Sequence, residues 1–78
     1  MRRNEVLNMD RTGKNLKKLI SCSPYTFEDI ANFLNLASPR VIYDWVNGIK
    51  LPSLSNLVLI SKLFKVHLED ILFIEDVF

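Results

Sequence analysis

The stretch from Thr26 to Pro52, TFEDIANFLNLASPRVIYDWVNGIKLP, constrains the fold of this chain more than any other. It reads as two short amphipathic helices with only a tight turn between them. Thr26 stands where a helix N-cap belongs, and Asp29, three residues on, can reach back in the manner of a capping box. Phe27, Ile30, Ala31 and Leu34 follow at i, i+3, i+4 and i+7, one apolar helical stripe. Asn35 falls where the chain must turn, and after glycine asparagine best tolerates the left-handed conformation. Ser38 then offers a second N-cap, with Pro39 at the first helical position, where its missing N–H costs nothing. Ile42 and Trp45 form the inner edge of this next helix, helped by Val46 and Val41, and Asn47-Gly48 ends it.

The flanks supply the rest of a core. Residues 1–11 show no periodicity and read as a basic N-terminal arm. Thr12 is the expected N-cap of a first helix, with Leu16, Leu19 and Ile20 spaced for burial, and Pro24 should stop it near Ser21 or Cys22. Lys50, Leu51 and Pro52 form a loop, and Ser53 caps a fourth helix from Leu54 to about Phe64. Its inner stripe is Leu57, Ile60, Ser61 and Phe64, yet Val58, Leu59 and Leu63 make it apolar nearly all round, so it should be covered on more than one side. A last short helix starts at Leu68, with Ile71 and Leu72 inward, and residues 75–78 read as a tail. No strand pattern emerges. The expected fold is all-α: five short helices around one core over residues 12–74.

Composition narrows the function classes. At 78 residues there is room for one domain. Cys22 is the single cysteine, so no internal disulfide can form, which suits a reducing cytoplasm. No apolar run approaches the roughly 20 residues needed to span a membrane, and the N-terminus does not resemble a signal peptide. Gly13 and Gly48 are the only glycines, too few for a phosphate-cradling loop, and His67 has no second histidine to share a metal. The adjacent acids Glu28-Asp29, Glu69-Asp70 and Glu75-Asp76 sit in first helical turns or in the tail, where the helix dipole accounts for the first two pairs. No enzyme, metal, cofactor or small-molecule substrate is expected.

The helix after the turn has a second stripe. Arg40, Tyr43, Asp44 and Asn47 stand at i, i+3, i+4 and i+7, opposite the buried edge. These side chains suit the edges of base pairs. Arginine forks onto the O6 and N7 atoms of guanine, asparagine onto adenine, and aspartate accepts from the cytosine amino group. Tyr43 can stack on a sugar, touch a thymine methyl or bond a phosphate. Asp44 can instead pair with Arg40 at i, i+4. The net charge of +1 is small but uneven: residues 1–18 hold six of the ten basic residues against two acidic ones. Arg11, Lys14, Lys17 and Lys18, together with Thr26, Ser38 and Lys50, are therefore expected near phosphates.

The run Ile30-Ala31, Leu34, Ile42, Trp45, Gly48, Pro52-Ser53, Leu57, Ile60, Phe64, Val66, Leu68, Asp70-Ile71-Leu72 resembles the lambda-repressor-like helix-turn-helix domain of the Cro-type or XRE family. The W-x-x-G-x-x-x-P-S segment, Trp45 to Ser53, carries most of that likeness. The resemblance implies a five-helix domain that binds operator DNA as a dimer, with its third helix in the major groove. Three departures stand out. Keeping Asp44 out of the core requires one extra residue in the turn, near Ala37. Ile20 and Val46 occupy positions where many members carry an ion pair. Phe27, followed by two acids, replaces a glutamine that touches phosphate.

The apolar surplus of Val58, Leu59, Leu63, Phe73, Ile74, Val77 and Phe78 exceeds what one small core absorbs, and points to a homodimer interface. The expected function is a sequence-specific transcriptional regulator, a repressor that binds a palindromic operator in double-stranded DNA. The alternative is an antitoxin-like or anti-regulator module on the same fold that binds a protein partner and has weak or lost DNA binding.

Overall fold

The computed structural model describes residues 5–76. Along them run β1 (Glu5–Leu7), α1 (Met9–Ser21), α2 (Phe27–Phe33), α3 (Arg40–Val46), α4 (Leu54–Phe64), α5 (Leu68–Ile71) and β2 (Ile74–Asp76). The five helices enclose a core of Leu16, Ile20, Ile30, Ala31, Leu34, Ile42, Trp45, Val46, Leu57, Ile60 and Ile71. The periodicity predicted these inward faces. The position of the turn is settled by the same burial: Ile42 and Trp45 face inward, while Asp44 is only half-buried.

The caps follow residue type. Thr26 Oγ1 accepts from the Asp29 N–H at 3.0 Å, and Asp29 Oδ2 accepts from the Thr26 N–H at 2.9 Å, a complete capping box. Ser53 Oγ accepts from the Asn56 N–H at 3.2 Å to start α4. At the other ends, Asn35, Gly48 and Lys65 all have positive φ, near 60°, 73° and 57°. Each is followed by a backbone bond that reaches five residues back: Leu36 N–H to Ala31 O, Ile49 N–H to Asp44 O, and Val66 N–H to Ser61 O, at 2.9–3.0 Å. α2, α3 and α4 thus stop by one device, the left-handed residue that lets orphan carbonyls find a donor.

The first helix departs from the sequence-based expectation. It starts at Met9, and its N-cap is Asn8, whose side chain accepts from the Arg11 N–H at 2.9 Å. Thr12 is not a cap: it is buried to 1% exposure. Its Oγ1 accepts from the Phe73 N–H at 2.9 Å, while Phe73 O accepts from the Asn8 N–H at 2.8 Å. The C-terminal return is tied to α1 through those two bonds and pairs, as β2, antiparallel to β1 with Glu5 opposite Asp76 and Leu7 opposite Ile74. Residues 5–11, read as an arm, therefore carry a strand and the first turn of α1, and the tail begins inside a strand. Three-residue strands are too short to show alternation, which is why the sequence hid them.

Gly13 explains how closely α1 sits on α3. A Cβ there would stand 2.6 Å from Val46 O and 2.7 Å from Trp45 O. Only a bare backbone fits.

Candidate nucleic-acid interface

Burying Ile42, Trp45 and Val46 turns the opposite side of α3 outward. Arg40, Tyr43 and Asn47 are exposed there and Asp44 is half-buried. With Ser38 and Pro39 they line one open groove. The predicted row is thus brought together on a single surface, held by a helix whose other face is locked in the core. The helix starts one residue later than expected: Pro39, not Ser38, is the N-cap and makes no side-chain cap bond, while Ser38 Oγ accepts from the Arg40 N–H at 3.2 Å. Pro39 has helical dihedrals, φ −63° and ψ −16°. The Arg40–Asp44 ion pair, one of the two alternatives for Asp44, does not form among the described residues.

Tyr43 has a partner that sequence reasoning missed. Its ring lies 4.5 Å, centroid to centroid, from that of Phe27 at the start of α2, inclined by 54°. The contact crosses between helices, so no periodicity along either one reveals it.

The residues expected near phosphates divide. Lys50 is exposed in the loop that leaves α3, its N–H donating to Asp44 O at 3.3 Å. The Thr26 hydroxyl already serves as the cap of α2, and the Ser38 hydroxyl is engaged by the Arg40 N–H. Arg11, Lys14, Lys17 and Lys18 are all exposed on α1. The contacts of Gly13 with α3 carbonyls, and the 2.6 Å that would separate a Gly48 Cβ from Asp10 Oδ1, put the start of α1 beside the end of α3. Arg11 and Lys14 line a second groove there with Asn15 and Phe73. Asn15 Nδ2 donates to Ile71 O at 3.1 Å, and the Arg11 guanidinium carbon lies 4.8 Å from the centre of the Phe73 ring. Lys17 and Lys18 lie about one turn further along α1, away from that groove.

The apolar residues expected at a dimer interface divide as well. Val58, Leu63 and Phe73 are half-buried, with Leu63 packed on the core and Phe73 under Arg11. Leu59 and Ile74 are exposed, at 38% and 56%. Val77 and Phe78 lie outside the described residues. Two apolar side chains outside that set are more open: Ile49 at 63% and Leu54 at 71%, flanking the loop after α3. A hydrophobic residue just past a left-handed stop frequently packs inward, and Leu36 and Val66 do pack against the core; the exposure of Ile49 has no sequence signal.

Among the described residues, no helix is long and apolar enough to cross a membrane, and no group of three or more His, Cys, Asp or Glu could hold a metal ion. Residues 37–71, from the turn before α3 through α5, match the helix-turn-helix family model. No curated protein and no solved structure matches the chain.

Proposed function

We propose that this chain, which carries a helix-turn-helix domain of the lambda-repressor-like, XRE kind, is a repressor that binds a palindromic operator as a homodimer and acts in the cytoplasm. The single observation behind this reading is the row Arg40, Tyr43, Asp44 and Asn47 along the outer side of α3, unpaired with one another and backed by a buried edge. A helix is about 10–12 Å across with its side chains, and the major groove of B-DNA is about 12 Å wide. Inserted there, α3 sets Arg40 and Asn47 against purine edges and Asp44 against a cytosine amino group. Lys50, Arg11 and Lys14 supply charge to the phosphate walls on either side. Two copies related by a two-fold axis would place their reading helices about 34 Å apart, one turn of DNA. Leu59 and Ile74, with Val77 and Phe78, are the side chains proposed to join the copies.

A second reading is favoured by one feature. Glu28 and Asp29 are exposed at the start of α2, and the Asp29 carboxylate closes the capping box where a phosphate would otherwise approach backbone N–H groups. A domain that had turned from DNA to a protein partner would carry such acids freely.

Fluorescence anisotropy separates the two readings. The chain is titrated onto labelled DNA from its own upstream region and onto scrambled DNA, at several salt concentrations. A regulator prefers its own region by about 100-fold, roughly 2.7 kcal/mol, with affinity falling steeply as salt rises. Weak binding to both without salt dependence favours the protein-partner module.

A further inference from the structure

We propose that Phe27 and Tyr43 act as a unit that reads the 5-methyl group of a thymine, Tyr43 making the contact and Phe27 positioning it. The inference rests on α3 being a DNA-reading helix and names what one member of its row recognises.

Tyr43 stands in the middle of the row, between Arg40 and Asn47. The centre of a helix laid into the major groove faces the floor, where base edges lie, while its flanks face the phosphate walls. An aromatic ring at that place meets one apolar feature of the floor, the thymine methyl. The Tyr43 hydroxyl can bond a base edge or a phosphate, but the thymine methyl is what the ring itself complements.

The neighbours of the ring sharpen the argument. A tyrosine alone on a helix surface samples several rotamers and loses that freedom on binding. Here the Phe27 ring sits at 4.5 Å and 54° to it. Phe27 itself is half-buried and packed against the core, and the adjacent capping box of Thr26 and Asp29 holds its backbone. Tyr43 is thereby braced from α2, yet 53% of its surface stays open. Its hydroxyl makes no hydrogen bond among the described residues. Rigid, pre-oriented aromatic contacts lose little entropy when they bind.

The test begins with selection of preferred duplexes from a randomised pool by the full chain. Each thymine of the best site is then replaced singly by deoxyuridine, which removes the methyl group alone. The expected result is one thymine per half-site at which the replacement weakens binding about 4-fold, the worth of one buried methyl-sized group. In Tyr43→Ala and in Phe27→Leu, which keeps an apolar side chain under the helix, the thymine-to-uridine ratio at that position should fall to about one, whatever happens to overall affinity. A general loss of stability lowers binding to both duplexes alike and leaves the ratio unmoved. A wild-type ratio of one at every thymine overturns the proposal, and a ratio that survives in Phe27→Leu overturns the positioning role. Failure to select any duplex overturns the DNA reading and this inference together.

Discussion

Asn35, Gly48 and Lys65 share one backbone conformation but not one cost. For an L-residue with a Cβ, the left-handed region is uphill by about 1–2 kcal/mol. At Gly48 a Cβ would also meet Asp10 Oδ1 at 2.6 Å. Gly48→Ala should therefore lower stability by about 1–2 kcal/mol, read as a lower denaturation midpoint at unchanged slope. Lys65→Gly should move the midpoint upward by a few tenths of a kcal/mol, since relief of the backbone exceeds the added freedom of the unfolded chain. Residue type announced the first two stops, because asparagine and glycine are the residues that tolerate positive φ. Lysine announces nothing of the sort. Its conformation follows from the need of the Val66 N–H to reach Ser61 O, which only the folded chain displays. Gly13 was equally silent: inside a helix it looks like a weak point, about 1 kcal/mol worse than alanine. Its purpose belongs to two carbonyls of another helix.

At the scale of the element, α3 divides its labour between ends and faces. Arg40, at its start, is proposed to meet a base edge, whereas Lys50, past its end, is proposed to meet a phosphate. Arg40→Ala should then relax preference at one position of the site, with a loss of about 1–3 kcal/mol on the preferred base. Lys50→Ala should weaken binding to all sequences alike and reduce the slope of log affinity against log salt by about one. Competition against a panel of single-base variants distinguishes them, and equal losses on every sequence from Arg40→Ala would remove it from base readout. The row itself was legible, since a spacing of i, i+3, i+4 and i+7 defines a face. So was the register of the helix, because a carboxylate at position 44 would be costly to bury and Ile42 and Trp45 would not. The brace under Tyr43 was not legible, because it belongs to the angle between α2 and α3.

For the whole molecule, the number of copies follows from where its apolar side chains are exposed. Five helices and one core were readable from apolar periodicity, but surplus apolar residues are not the same as exposed ones. Val58, Leu63 and Phe73 are half-buried, whereas Ile49 and Leu54 are exposed. Leu59 remains on the outer side of α4, and a charge there should separate a dimer built on that face. Leu59→Lys is expected to sediment as a monomer at tens of micromolar where the unaltered chain sediments as a dimer. An unaltered chain that stays monomeric would end the proposal of two-fold binding, and a monomer produced by Leu54→Lys alone would move the interface to the loop after α3.

The ribbon of β1 and β2 has a wider implication. Because Glu5 faces Asp76, the backbone from one to the other is a ring with a single narrow gap. Glu5 and Asp76, 71 positions apart in the chain, therefore lie at one edge of the domain. The same proximity couples the two strands in a pull: tension applied across Glu5 and Asp76 loads the ribbon first and reaches α1 through the ties at Asn8 and Thr12.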